Sequence, residues 1–317
     1  SYSVTGVQTC ALPILNAVEL DHVTKRFGTT AAVDDLSLHV PAGSIYGFIG
    51  PNGSGKTTTL RMILNIFRPD SGEVRLLGEA RRGSRDARVG YLPEERGLYP
   101  RMKVGELLGF IQELRLGRTG DAEVNAWLER FGLADWAGRK IEALSKGMAQ
   151  KVQFIAAVLG EPQLLVLDEP FSGLDPVNLD TLRQAVLDQR ARGATVIFST
   201  HDMGMAECLC DFIFMIFRGR KVLDGTLAAI QDQYTTDILR VRSEPGAVLP
   251  RGLAGVARVE DFGNQQELRL EPGTDPQAVA AALLSQTRLR SFEIARPSLH
   301  DIFVRIARPD SPEAPHA

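Results

Sequence analysis

At 317 residues, with 44% hydrophobic and 24% charged side chains, the chain has room for one large domain or two ordinary ones, and the balance of a soluble globular protein. A formal net charge of −3 lacks the basic excess of a general nucleic-acid binder. Cys10, Cys208 and Cys210 show neither zinc spacing nor a disulfide framework, which suits reduced thiols in a cytosolic setting.

The first residues, 1–15, are set apart. VTGVQTCALPI (Val4 to Ile14) resembles a translated sequencing adapter joined to a truncated gene; a natural flexible tail or targeting segment is the alternative, although the positive n-region of a signal peptide is missing. From Ala17, AVELDHVTKRFG and then AVDDLSLHVPAGSIYGFIG alternate apolar and polar residues, predicting strands joined by a turn near Gly28. GPNGSGKTTTLRMILNIFRPDSG follows, with Leu60, Ile63, Leu64 and Phe67 at helical spacing, so a glycine-rich loop opens an amphipathic helix that ends before Pro69. EVRLLG and RVGYLP read as short strands. Val104 to Leu159 is mainly helical, with breaks at LGRTGD and FGLADW.

Within that stretch, ALSKGMAQKVQF places Ser145 as an N-cap, with Met148, Val152, Ile155, Ala156 and Leu159 on one stripe and Gly160 and Pro162 ending the run. No Glu or Gln at the third helical position closes a capping box. Lys146 adds positive charge where the helix dipole is already positive, at a cost of about 0.3 kcal/mol or more. A helix start of this kind suits an external anion. QLLVLDEP is a continuous apolar strand ending in two acids, and ATVIFSTHD repeats that form after a helix at 177–192. Buried strands alternating with helices indicate a mostly parallel α/β sheet. FIFMIF (212–217) falls far short of the ~20 residues a membrane helix needs, so any membrane spans belong to another chain. Beyond Gly225, short alternating strands (DILRVRSE, VARVEDF, QELRLEP) and a helix through DPQAVAAALLSQ predict a small α+β domain. The proline-rich ending ARPDSPEAPHA reads as a disordered tail.

Two segments carry chemistry. GPNGSGKT, Gly50 to Thr57, fits G-x-x-x-x-G-K-[ST], follows a strand and opens a helix. Its glycines let backbone N–H groups curl around a phosphate resting on the helix N-terminus; Lys56 would reach the β- and γ-phosphates and the Thr57 hydroxyl would meet Mg²⁺. LLVLDEP sets Asp168 and Glu169 at a strand's carboxyl end, where open α/β sheets bind ligands. Asp168 suits a Mg²⁺ contact, direct or one layer out, and Glu169 can point at an attacking water.

In order, GPNGSGKTT, GYLPEERGLYP, LSKGMAQKVQF, LLVLDEP, SGLD and STHD together resemble the nucleotide-binding subunit of ATP-binding cassette (ABC) transporters, over about residues 18–230. The resemblance implies a phosphate-loop α/β cassette with a parallel-sheet core, an antiparallel β subdomain and a helical subdomain. A small α+β accessory domain at 235–306 and a tail at 307–317 would follow. It implies ATP and Mg²⁺ as ligands. ATP would contact Phe27, stacked on adenine, together with Gly50, Pro51, Asn52, Gly53, Ser54, Gly55, Lys56, Thr57, Thr58 and Glu94. Thr57, Asp168 and Glu94 would serve the metal. Glu169 would be the general base, a role worth ~10²–10⁴ in rate, and His201 would contact the γ-phosphate.

The same resemblance implies a head-to-tail dimer, homomeric or heteromeric. Ser145, Lys146, Gly147 and Met148 of one cassette would meet the γ-phosphate held by the other, and Asp175 would link the two sites. His22, His39, His300 and His316 match no motif. Glu94 stands where glutamine is expected, adding charge and removing a donor; Lys146 and Met148 stand where glycine and glutamine are commoner. These departures, and RPSLHDIFVRIA near the end, resemble a subgroup of single-cassette exporters whose permease is a separate chain, including proteins proposed to extrude sodium or drugs. The expected protein is an ATPase peripheral to the cytoplasmic face of the plasma membrane, partnered by a second cassette and a permease, with no nucleic acid. A soluble ABC-type ATPase acting on a ribosome or nucleic acid is the first alternative, and a phosphate-loop small-molecule kinase the second.

Overall fold

The computed structural model describes residues 16–80, 86–95, 97–117, 120–234, 238–244, 252–263, 265–271 and 273–307. The adapter-like segment and residues 308–317 of the expected tail lie outside the described residues. The chain divides into two units, Ser1–Thr226 and Leu227–Ala317.

Alternating apolar residues at the start of the first unit produce β1 (Asn16–Phe27) and β2 (Thr30–Pro41), which pair antiparallel. The chain then enters β3 (Ile45–Ile49), every residue of which is buried, and turns through residues 50–55 into α1 (Lys56–Ile63). This helix is shorter than the spacing of Leu60 to Phe67 predicts. Asn65 adopts a left-handed backbone (φ 55°), and the N–H groups of Ile66 and Phe67 both donate to the Arg61 carbonyl, closing the helix before Phe67. Phe67 packs against the core from outside the helix.

β4 (Ser71–Leu76) and β5 (Glu79–Ala80) complete an antiparallel sheet in the order β2-β1-β4-β5. The second sheet is built around β3. Its other strands are β6 (Val89–Leu92), β7 (Leu164–Asp168), β8 (Thr195–Thr200), β9 (Phe212–Phe217) and β10 (Arg220–Gly225), in the order β10-β9-β3-β8-β7-β6. All neighbours are parallel except β9 and β10. FIFMIF is thus a central strand. One face of this sheet shares a core with α1 and the antiparallel sheet, through Phe48, Leu60, Phe214 and Leu20. Each fully buried side chain of this size contributes about 1.5–3 kcal/mol.

The other face carries α2 (Val104–Leu116), α3 (Asp121–Arg130), two short 3₁₀ turns, α4 (Lys146–Val158), α5 (Pro176–Ala191) and α6 (Met203–Leu209). The breaks between α2, α3 and α4 fall at LGRTGD and FGLADW, where glycines interrupt the pattern. Trp127, Phe131 and Phe154 hold α3 to α4, with ring centroids 5.7–6.3 Å apart. Two further features bind this layer to β6. Gly90 lies so close to α4 that a Cβ there would stand 2.1 Å from the Ala157 carbonyl oxygen, so only glycine permits the approach. Arg115, at the end of α2, donates to the carbonyls of Ala156, Ala157, Ala87 and Val89 at 3.0–3.3 Å. Burial pushes its pKa down, and the main-chain dipoles replace the lost water.

The second unit contains α7 (Leu227–Gln233), β11 (Ile238–Ser243), β12 (Val256–Asp261), β13 (Gln266–Leu270), α8 (Pro276–Gln286), β14 (Leu289–Ala295) and α9 (Leu299–Ala307). Its antiparallel sheet runs β12-β13-β11-β14, and Leu239, Val241, Leu268, Val279 and Leu283 form its core. Asp275 caps α8 and Pro276 takes the first helical position. The three strands and the helix read from sequence are present. β14 escapes that reading because its partly or fully buried residues, Leu289, Phe292 and Ala295, stand three apart, which does not match the two-residue alternation of a strand; its register against β11 shifts only between Leu289 and Ser291. Among the described residues no helix is long and apolar enough to cross a membrane.

Candidate functional site

The carboxyl ends of the adjacent strands β3, β8, β7 and β6 carry the loops that begin at Gly50, His201, Glu169 and Pro93. The first is the phosphate loop. Gly55 holds φ 113° at the N-terminus of α1, and a Cβ there would lie 2.5 Å from the Ala32 carbonyl oxygen. No side chain caps α1, so its first N–H groups point free into the loop, as an anion requires. Lys56 is buried; its ammonium donates to the Gly50 carbonyl at 2.7 Å and the Pro51 carbonyl at 3.3 Å. Burial lowers its pKa, opposed by the neighbouring charges of Glu169, Asp168 and Glu94. Asn52, Gly53, Ser54, Gly55, Lys56, Thr57, Thr58, Glu94 and Glu169 line one cleft, joined by Ala32. Its volume of about 370 Å³ lies within the range of small-molecule sites.

Asp168 ends β7 with no exposed surface. One of its carboxylate oxygens accepts from the Ser199 hydroxyl at 2.5 Å and from the Thr57 hydroxyl at 3.3 Å. The other, Oδ2, is buried with no partner. An orphaned buried carboxylate oxygen beside a phosphate-loop threonine fits Mg²⁺, which takes one or two protein ligands and leaves its other positions to water and phosphate. No group of three or more His, Cys, Asp and Glu able to hold a metal alone occurs among the described residues.

Glu169 turns the chain sharply by adopting a left-handed backbone, φ 49°, at a cost of roughly 1–2 kcal/mol. Its N–H donates to the Ser199 hydroxyl at 2.9 Å, which fixes the turn. The turn aims its buried carboxylate into the cleft, 3.8 Å from the Lys56 ammonium, with both oxygens 3.1 Å from Nδ1 of the exposed His201. General base, histidine and phosphate-loop lysine of the sequence reading therefore converge here.

The remaining candidates lie elsewhere. Phe27 is exposed at the end of β1, edge-on to Phe67 at 5.6 Å, and is not among the residues lining the cleft. Ser145 caps α4 by accepting from the Met148 N–H at 3.3 Å, as its sequence predicts. None of residues 145–148 lines the cleft either. The exposed Lys146 lays its ammonium over Gly173, so close that a Cβ there would be 2.3 Å away, and Gly147 sits beside Asn178 and Leu174. Asp175 accepts from the N–H groups of Val177 and Asn178 at 3.1 Å and so caps α5; the Asn178 amide bonds also hold its carboxyl below the usual range. The segment 145–148 thus packs on the 173–178 turn of its own chain and away from its own phosphate loop.

Three residues that sequence reasoning overlooked belong to this region. Ser199, the first letter of STHD, joins Asp168 to Glu169. Gln150 and Gln153, both buried on α4, donate to the carbonyls of Pro170 at 3.1 Å and Glu95 at 3.3 Å. The only sequence signal for the pair is two glutamines three apart in an amphipathic helix.

Comparison with known proteins bears on this geometry. Residues 33–172 match the family described as ABC transporter, and residues 225–307 match the C-terminal domain of DrrA1-3-like ATP-binding proteins. The uncharacterised ABC transporter ATP-binding protein YhaQ of Bacillus subtilis is 39% identical over 287 residues, 90% of this chain and 96% of the relative. The Nod factor export ATP-binding protein I of Burkholderia lata is 35% identical, covering 91% of this chain and 96% of its own. A solved ATP-binding subunit of an ABC transporter superposes with a TM-score of 0.63 at 29% identity, over 69% of this chain and 93% of that one.

Proposed function

Because this chain belongs to the ATP-binding subunits of ABC transporters, we propose that it drives export through a separate membrane permease, working as one of two cassettes that close on ATP. As a member of that family it is an ATPase subunit of a transporter, and nucleic-acid processing is not its role. Export is supported by the Nod factor export relatives. Under this reading residues 18–230 are the cassette, 235–306 an accessory domain, and the protein is peripheral to the cytoplasmic face of the membrane.

The observation that carries the dimeric reading is the separation of the two anion-suited helix starts. One opens α1 inside the cleft; the other, at Ser145, opens α4 outside it. A second cassette supplies the missing partner for each. ATP would rest its phosphates on the N–H groups of residues 52–58, with Lys56 on the β- and γ-phosphates and Phe27 against the adenine. Thr57, Asp168 and Glu94 would hold Mg²⁺, which when bound neutralises phosphate charge. Glu169 would take the proton of a water whose oxygen bonds to the γ-phosphorus as the bond to the bridging oxygen breaks, leaving ADP and phosphate. His201 would orient that carboxylate and touch the γ-phosphate, while Asp175 would reach across the dimer.

Purification of the tagged full chain from detergent-solubilised membranes tests the partner: a co-purifying multi-span membrane protein is the expected result. Ribosomes or nucleic acid recovered without any membrane protein would overturn the assignment. Lys146→Glu tests the shared site. An acid facing the partner's triphosphate should lower ATPase activity by roughly tenfold, the effect of about 1.4 kcal/mol, without changing the melting temperature. Undiminished turnover in that variant would mean Lys146 only covers Gly173.

A further inference from the structure

We infer that Gln153 is a positioning residue for ATP hydrolysis: it ties the Glu94 loop to the helix whose N-terminus serves the opposite ATP site. Gln153 is 4% exposed, and its amide donates to the Glu95 carbonyl, next in sequence to Glu94, which lines the cleft. One helical turn earlier, Gln150 donates to the Pro170 carbonyl, next in sequence to Glu169. Residues three apart share a helix face. One face of α4 therefore grips the two loops that bear the acids of its own cleft, while Ser145 to Met148 form its N-terminus, about 7–12 Å from Gln153 along the axis.

A helix is stiff over that distance, so a displacement of the Glu94 loop moves the 145–148 end with it. The side-chain chemistry of Gln153 is suited to such a tie. A glutamine amide has two donor hydrogens and a carbonyl oxygen, and in this structure Oε1 is buried with no partner. A half-used, buried hydrogen-bonding group makes the contact sensitive to where the loop stands, because a shifted loop can satisfy what the present one leaves open. An apolar residue at 153 would bury equally well and hold the loop no longer. Glutamine here therefore serves the loop.

The inference rests on Glu94 belonging to the ATP site and is tested by a double-mutant cycle on the purified full chain: wild type, Glu94→Gln, Gln153→Leu and the double variant. ATPase rates are followed against ATP and against Mg²⁺, and thermal melts report folding. Gln153→Leu should lower turnover about fivefold, the worth of one ordinary hydrogen bond, and lower the Hill coefficient for ATP. The double variant should be no slower than Glu94→Gln alone, because both changes break one linkage. Gln153→Glu, which keeps the shape and loses the donor, should behave like Gln153→Leu, guarding against a packing artefact. Multiplying effects in the double variant would overturn the inference and leave the place of Glu94 in the site intact. A Glu94→Gln variant with wild-type turnover and Mg²⁺ requirement would overturn both.

Discussion

Replacing Glu169 by glutamine lowers ATP hydrolysis by ~10²–10⁴, the ordinary worth of a general base, and leaves ATP held between two chains. Glutamine preserves the volume and the left-handed turn at this position, and the Ser199 hydroxyl still receives the N–H of residue 169. The lost function is the capacity to accept a proton beside His201 and Lys56. The amide also removes a negative charge from a cleft meant for a polyanion, so binding is retained. Phosphate release under saturating ATP and Mg²⁺, with size-exclusion chromatography of the same samples, reads both effects. Normal turnover would take Glu169 out of the mechanism; an inactive variant that stays monomeric with ATP bound would sink the two-cassette reading.

Lys56→Ala has the second large effect, on binding as well as rate. The ammonium bridges the main-chain carbonyls of Gly50 and Pro51 to the carboxylate of Glu169, and both side chains of the ion pair are almost fully buried. Alanine leaves Glu169 buried without its counter-charge, which costs on the order of 3 kcal/mol of stability. It also removes the charge meant for the β- and γ-phosphates, worth roughly 10²–10³ in turnover. The melting temperature without nucleotide should fall, and ATP should no longer restore it. A variant with wild-type ATP affinity and rate would contradict the role given to Lys56.

What the sequence disclosed about this site follows from how local each feature is. The phosphate loop is contiguous, and its glycines, lysine and threonine are spaced by the loop's own geometry. Asp168, Glu169 and His201 are legible because each ends or immediately follows a strand whose apolar run is itself contiguous. Gln150 and Gln153 are not legible in this way. A glutamine on an amphipathic helix ordinarily faces water, and only the return of residues 95 and 170 to the same helix face turns these two inward. Phe67 misleads for the opposite reason: its spacing is helical, yet Asn65 ends α1 first. In the second unit the three-residue spacing of Leu289, Phe292 and Ala295 hides a strand that pairing with β11 makes plain. Local chemistry reads forward from the letters; contacts made by distant main chain do not.

Arg115 carries that point into evolution. Its guanidinium addresses main-chain oxygens alone, of Ala87, Val89, Ala156 and Ala157. A partner recognised by its backbone has no side-chain identity for the arginine to constrain, so whatever limits those four positions comes from their own packing and not from Arg115. Any search for co-varying pairs among related chains should therefore find Arg115 invariant and solitary, one of the joints of the fold that leaves no trace in pairwise statistics.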